Sequence, residues 1–345
     1  MAMLDAASRD ELVTTSTDAL ISRLSLPIIA APMLLASSKE SVVAACRSGI
    51  VGSYPALNQR STEGLDQWLT QVEDELAAGP FAEAAFIGPH CINLVVHHSN
   101  KRLESDLAVI VQHKVPLIIT SLGANPDIIA QIHAYGGLIF HDVISVKHAQ
   151  KALQAGVDGI VAVTHGAGGH AGTLHPFPFI HQLRALTDKP IILAGAVSTG
   201  RQLAAAIVAG ASLVSAGTRF LAVDEASVQD HYKELIVESE AEDIVYTPRL
   251  SGINANFLKK SIAEAGVDLA TLEVPSGVNF GGENRSSDLA DTGKAKVYTD
   301  IWSAGQGVGS IRTVLPIRAL VAEMRQDFDA AIAEISTRYP KKPMS

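Results

Sequence analysis

The chain has 345 residues, 47% of them hydrophobic and 18% charged, with a formal net charge of −9. That suffices for a large core and suits one barrel-sized domain or two smaller ones. The acidic balance and the lack of a dense Lys/Arg stripe argue against nucleic acid and anionic membranes as partners, and no apolar run approaches the roughly 20 residues of a spanning helix. The opening Met1–Asp10 has no basic region followed by an apolar core, so it does not read as a secretory signal. Cys46 and Cys91 cannot form a disulfide framework; both lie in apolar surroundings and read as small buried hydrophobes of a cytoplasmic protein. No Cys–His cluster has the spacing of a structural zinc.

Short β-rich runs recur along the first 220 residues, each followed by a stretch of helical period. The runs begin with 27–33 and 49–54. The third lies near Ala85-Phe-Ile or, in better accord with the pattern, at 91–96. Then come 115–120, 137–142, 159–163, 190–195 and 212–217. Continuous apolar strands alternating with helices predict a parallel sheet covered on both faces. Gly49, Gly156 and Gly210 each stand between an Ala-rich helix and the next strand, where a helix stop is expected. A doubly wound open sheet competes with a (β/α)8 TIM barrel, and a count of eight strands favours the barrel, placed over residues 20–222. Beyond 222 the rhythm breaks. Residues 234–243 read as an acidic solvated helix, and 244–310 are loop-rich with Gly277, Gly281, Gly282, Gly305, Gly307 and Gly309. We expect 223–310 to be a smaller lid over the barrel mouth, and 311–345 to contribute an amphipathic helix, about 317–337, that packs back on the barrel.

Functional positions of a barrel lie just after its strands. The most distinctive follow the sixth, where 164–172 read Thr-His-Gly-Ala-Gly-Gly-His-Ala-Gly: bare backbone around one imidazole, His170. Glycine lets backbone approach a ligand closely, and little bulk is left for His170 to pack against, so Gly168, Gly169 and His170 are read as one wall of a site, His170 as a base or an anion contact. Ala31, Pro32 and Met33 turn sharply after the first strand. Asn93 is a polar residue in an apolar third strand and needs a partner, either a ligand edge or a neighbouring strand. Glycine turns follow strands seven and eight, each opening a helix, which is the arrangement of a barrel phosphate site. The turns are Gly195-Ala196 and, after Ser215-Ala216, Gly217-Thr218; the amides of Gly195, Ala196, Gly217 and Thr218, with the Thr218 hydroxyl, would hold the anion. His97, His98, His165 and His175 are less specific, and no nucleophile elbow supports a hydrolase.

These pieces together resemble the nitronate monooxygenase family, formerly 2-nitropropane dioxygenases: Ala-Pro-Met at 31–33, Ile-Asn-Leu at 92–94, Ala-Gly-Gly-His-Ala-Gly at 167–172, Ala-Gly-Ala-Val at 194–197 and Gly-Thr-Arg-Phe-Leu-Ala at 217–222, with a weaker echo at 302–309. The resemblance implies non-covalent FMN, its ring near Met33, Asn93 and Gly168–Gly169 and its phosphate at 195–196 and 215–218. It also implies His170 as the active-site histidine, and oxidation of an alkyl nitronate by O2 to a carbonyl compound and nitrite without a metal. Some relatives carry Lys after the fifth strand, where this chain has His141-Asp142, and Gln before the histidine loop, where it has Val163-Thr164. The alternatives are an FMN-dependent NAD(P)H reductase of a quinone or enoyl thioester, a flavin-free phosphate-sugar isomerase or aldolase-like barrel, and a cofactor-binding protein without turnover. Subunit number is left open, a homodimer included.

Overall fold

Eight short parallel strands close into a barrel in a computed structural model that describes residues 16–275 and 296–340. They are β1 Ile28–Ala30, β2 Val51–Pro55, β3 His90–Val95, β4 Leu117–Ser121, β5 Leu138–Val143, β6 Gly159–Val163, β8 Ile191–Ala194 and β9 Leu213–Ala216. The barrel closes where β9 pairs with β1, Ile28 opposite Val214 and Ala30 opposite Ala216. The third strand is thus the one expected near 91–96, and residues 85–87 lie outside it. A two-residue strand, β7 Gly169–His170, falls between β6 and β8 in sequence but belongs to another sheet.

Side chains alternate across each strand, so one parity fills the barrel and the other meets the helices. Ile29, Val51, Cys91, Leu117, Ile119, Phe140, Val161, Ile192 and Leu213 form the interior cluster. Ile28, Ile92, Leu94, Ile118, Ile139, Ile160, Ile191 and Val214 belong to the separate cluster that includes the helices. Following the inward parity toward the C-terminal strand ends leads from Cys91 to Asn93, from Ile119 to Ser121 and from Phe140 to Asp142, so the apolar filling gives way to polar residues in one layer. Both cysteines are fully buried. Gly49, Gly156 and Gly210 end their helices with φ of 78°, 103° and 108°, the left-handed turn that a residue without Cβ adopts at little cost.

After β9 the chain forms a helix at Asp230–Glu238, β10 Ile244–Thr247, β11 Ala255–Leu258, a helix at Lys259–Glu264 and a 3-10 turn at Gln306–Ser310. The acidic stretch is therefore no continuous solvated helix. It starts inside one that buries Tyr232, Leu235 and Ile236 and ends in a separate 3-10 turn at Ala241–Asp243. Gly277, Gly281 and Gly282 lie outside the described residues. β10 and β11 pair antiparallel, and β11 pairs in turn with β7, so the segment read as a lid shares its sheet with the histidine loop of the barrel. Among the described residues no helix is long and apolar enough to cross a membrane.

The last helix, Ile317–Arg338, returns to the barrel. Glu225 accepts hydrogen bonds from the N–H of Ile317 at 3.1 and 3.0 Å, satisfying a donor of its first turn. Further along it presses on the helix Gly200–Val208, whose Arg201 N–H donates to Asp327 Oδ2 at 2.6 Å. A Cβ at Gly200 would sit 2.0 Å from Met324 O and 2.5 Å from Phe328 N. Gly200→Ala is expected to force these backbones apart and lower stability by about 1–3 kcal/mol, read as a fall in the urea midpoint; an unchanged midpoint would show that the contact is not needed.

Candidate active site

A cavity of about 970 Å³ opens at the C-terminal ends of the barrel strands. Its lining brings together every residue assigned to the site from the sequence, Ala31, Pro32, Met33, Asn93, Gly168, Gly169, His170, Gly195, Ala196, Ser215, Ala216, Gly217 and Thr218, while His97, His98, His165 and His175 lie outside it. At the top of the roughly 300–1,000 Å³ usual for ligand sites, it has room for a cofactor and a small second molecule.

The floor is polar and linked. Asn93 Nδ2 donates to Ser121 Oγ at 2.7 Å and to Ile119 O at 3.2 Å, and Ser121 Oγ donates to Asp142 Oδ2 at 2.5 Å. Asn93 therefore has neighbouring strands as its protein partners, one of the two options open from sequence. Burial pushes the Asp142 carboxyl from 3.8 up to about 6, the Ser121 hydrogen bond opposing the shift. His141 meets Thr120 Oγ1 through Nδ1 at 2.8 Å, and burial lowers it to about 4, the nearby His148 adding to the effect. His141 is thus neutral at pH 7 and Asp142 titrates close to neutrality.

The glycines of the histidine loop answer mainly to protein neighbours. A Cβ at Gly166 would lie 2.8 Å from Ala196 Cβ, one at Gly168 2.8 Å from Gly305 N, and one at Gly172 2.5 Å from Val163 O. Only at Gly169, with φ 65°, is the nearest atom as far as 3.8 Å, at Ser303 Oγ. The loop is pinned from the other side by Asn256, whose Nδ2 donates to His165 O and Ala167 O, both at 2.7 Å. Ala171 N–H donates to Asn254 O at 3.1 Å. These glycines thus let protein segments meet through backbone, and Gly166, Gly168 and Gly169 also face the cavity.

His170 is exposed at the cavity wall, and desolvation by the neighbouring protein lowers its pKa from the ordinary 6.5. Its Nε2 lies 3.3 Å from the Tyr298 hydroxyl, and the two rings meet edge to face, 6.4 Å between centroids. Burial raises the Tyr298 phenol to about 12, Ser251 opposing the shift, so it stays protonated at working pH. A hydroxyl can donate to Nε2 or accept from Nε2–H, so Tyr298 orients the ring in either neutral tautomer. Nothing local marks Tyr298 in the sequence, 128 residues from His170; only the returning chain reveals it. Tyr232 also lines the cavity, stacked on Trp302 at 4.8 Å and donating from its hydroxyl to Ser303 O.

The two glycine turns face the cavity beside the first loop. Gly195 and Ala196 have φ of 126° and 58°. The Ala196 N–H donates to Gly166 O at 3.2 Å, and Thr218 Oγ1 accepts from Gly305 N–H at 2.8 Å. The Ala196 amide, expected to face an anion, is thus spent on protein instead, while the Thr218 hydroxyl keeps its hydrogen to donate. A Cβ at Gly217 would lie 3.5 Å from Met33 Sδ and 3.8 Å from Ala31 Cβ, filling space between the β1 and β9 loops that glycine leaves open. Small residues and backbone at 194–197 and 215–218 thus fit a flat, phosphate-bearing cofactor. Among the described residues no group of three His, Cys, Asp or Glu could hold a metal ion.

Residues 16–327 match the family model described as nitronate monooxygenase. A nitronate monooxygenase of Paraburkholderia phytofirmans is 27% identical over 239 residues, covering 66% of this chain and 65% of that protein. One of Neurospora crassa is 29% identical over 230 residues, covering 62% and 60%. The chain therefore spans less than two thirds of either relative. The solved structure of a nitroalkane oxidase from Streptomyces ansochromogenes superimposes with a TM-score of 0.76 over 92% of this chain and 99% of that one, at 21% identity, a likeness of fold.

Two outcomes follow from the site's construction. Asn256→Ala leaves two carbonyls without their donor and is expected to cost about 1–3 kcal/mol, with faster amide hydrogen exchange across 165–171; unchanged exchange there would show that the loop is held by other contacts. Because the Asp142 carboxyl binds its proton more tightly folded than unfolded, its contribution to stability is fully present below 3.8 and lost as pH rises through about 6. Asp142→Asn should therefore gain on the parent protein across that window and hold a constant lead above it, which melting curves from pH 4 to 8 would register. A lead independent of pH would mean that Asp142 titrates normally.

Proposed function

Since the chain belongs to the nitronate monooxygenase family, we propose that it oxidises alkyl nitronates with FMN and O2 to a carbonyl compound and nitrite. The observation that carries this reading is His170, oriented by Tyr298, on the wall of one cavity that also gathers both glycine turns, Met33 and Asn93. FMN, when bound, supplies electron transfer between the substrate carbon and O2. The turns at 195–196 and 215–218 would hold its phosphate, the Thr218 hydroxyl and the Gly195, Gly217 and Thr218 amides donating. Met33, Asn93 and Gly168–Gly169 would border its ring.

The remaining chemistry belongs to this chain's side chains. A neutral His170 keeps one imidazole nitrogen unprotonated and able to take the α-proton of a neutral nitroalkane; protonated, it offers a positive charge to the nitro oxygens of a nitronate. Its lowered pKa favours the first state near pH 7. On the floor Asp142 is largely anionic at pH 7, where some relatives place a cation, so a nitronate is held away from that side by like charge, while the neutral His170 wall offers no such repulsion.

His170→Ala is expected to retain yellow, flavin-loaded protein and to lose about 10²-fold or more of nitrite release from a neutral nitroalkane, with the loss smaller for a preformed nitronate. In the parent enzyme, turnover of the neutral nitroalkane should persist below pH 6.5 and fall only as pH drops through the lowered His170 pKa. Oxygen consumption and nitrite assays check both. Rapid anaerobic bleaching of the flavin by NADH would instead establish the NAD(P)H reductase, and unchanged turnover in the variant would remove His170 from the chemistry.

A further inference from the structure

Four large apolar side chains stand at the outer rim of the cavity. Leu34, Leu35, Leu122 and Ile144 are 37%, 54%, 52% and 45% exposed, and all four line it. Leu34 and Leu35 follow β1, Leu122 follows β4 and Ile144 follows β5, so they face each other across the mouth, β1 and β4 being three strands apart round the barrel. Exposure alone would be unremarkable on a protein surface. Two of the four carry a second cost: Leu35 and Leu122 have φ of 64° and 67°, in the left-handed region that side chains with a Cβ rarely occupy.

Neither leucine is free to relax. Leu35 N–H donates to Asn58 Oδ1 at 3.1 Å, and the same amide donates through Nδ2 to Met33 O at 3.2 Å and Ser37 O at 3.1 Å, stapling the whole turn. Next to Leu122, Val96 N–H donates to Ser121 O at 2.8 Å, and Gly123 lies so close that a Cβ there would approach Val96 O to 2.8 Å. The fold thus holds two strained leucines with their apolar side chains in water at one opening. Strain kept in place by surrounding structure gathers at ligand clamps and active sites, and clustered exposed apolar groups mark binding surfaces. Inward, Leu57, Val228 and Ile253 continue the apolar lining.

We propose that Leu35 and Leu122 are the jaws of a clamp for an alkyl chain, and that the enzyme selects substrates whose chain is long enough to leave the His170 chamber and cross the mouth. The headgroup chemistry rests on the nitronate reading; the clamp does not. Glycine is at ease in the left-handed region, so the double variant Leu35→Gly, Leu122→Gly deletes both side chains while relieving the backbone.

Calorimetric titration of the flavin-loaded protein with n-alkyl carboxylates of three, six and nine carbons, as unreactive chain probes, tests the clamp. Binding to the parent protein should tighten on the order of threefold per methylene between six and nine carbons. In the double variant that gain should vanish while three-carbon affinity stays the same. A parent protein without chain-length dependence, or a variant that keeps the same slope, overturns the clamp. Nitronates of the same lengths, assayed in parallel for nitrite, separate the two readings: a carboxylate slope with no nitrite release leaves the clamp and removes the nitronate chemistry, and nitrite release without any slope does the reverse.

Discussion

The backbone contact between residues 166–168 and 304–306 is the constraint around which the site is built. The carbonyl of Gly166 accepts from two amides at once, Ala196 N–H at 3.2 Å and Gln306 N–H at 3.0 Å. A Cβ at Gly305 would stand 2.4 Å from that same oxygen. One carbonyl thereby ties the histidine loop after β6 to the turn after β8 and to the returning chain, while Gly305 N–H adds the turn after β9 through Thr218. Without side chains at 166, 168 and 305 the three segments can touch through backbone alone; any Cβ would hold them apart. The positions of Gly169 and His170 follow from this junction and from the pairing of β7 with β11.

The chemistry of the cavity follows from how poorly it solvates charge. Desolvation lowers both His141 and His170 and raises Asp142, three shifts with a single leading cause. The result is a chamber with neutral imidazoles at pH 7 and one carboxylate that gains or loses its proton close to the working range. Hydrogen bonding then sorts the groups: Ser121 favours ionised Asp142, and Tyr298 orients His170. At pH 7 the floor therefore carries negative charge and the wall none, and an anionic substrate is repelled from the floor alone.

Much of the barrel was legible because strand runs in a parallel sheet are continuous and apolar, and because helix ends carry glycine where a left-handed turn is required; Gly49, Gly156 and Gly210 all have that conformation. The third strand was ambiguous because residues 85–87 are also apolar, and the choice rests on pairing: His90 to Asn93 sit opposite Gly52 to Pro55. The lining was legible for a related reason, since a position just after a barrel strand faces the mouth whatever the side chains do. The glycines proved to have a second reason beside the cavity they line. Gly166, Gly168 and Gly172 meet protein atoms, and no local feature of a glycine-rich loop tells a ligand from a neighbouring backbone. The acidic stretch 234–243 misled because its apolar residues Leu235 and Ile236 are covered by distant parts of the chain, Trp302, Val308 and Ile311 among them.

By itself the sequence determined the fold class, the strand order and thirteen of the positions that line the cavity, because periodicity and strand ends are local properties of the chain. The tertiary structure alone decided that Tyr298 meets His170, that Asn93, Ser121 and Asp142 form one hydrogen-bonded line, and that Asn256 pins the histidine loop. Each of these joins residues between 21 and 128 positions apart. Such pairs are set by strand register and by the path of the returning chain, and neither leaves a mark on the local pattern of residues.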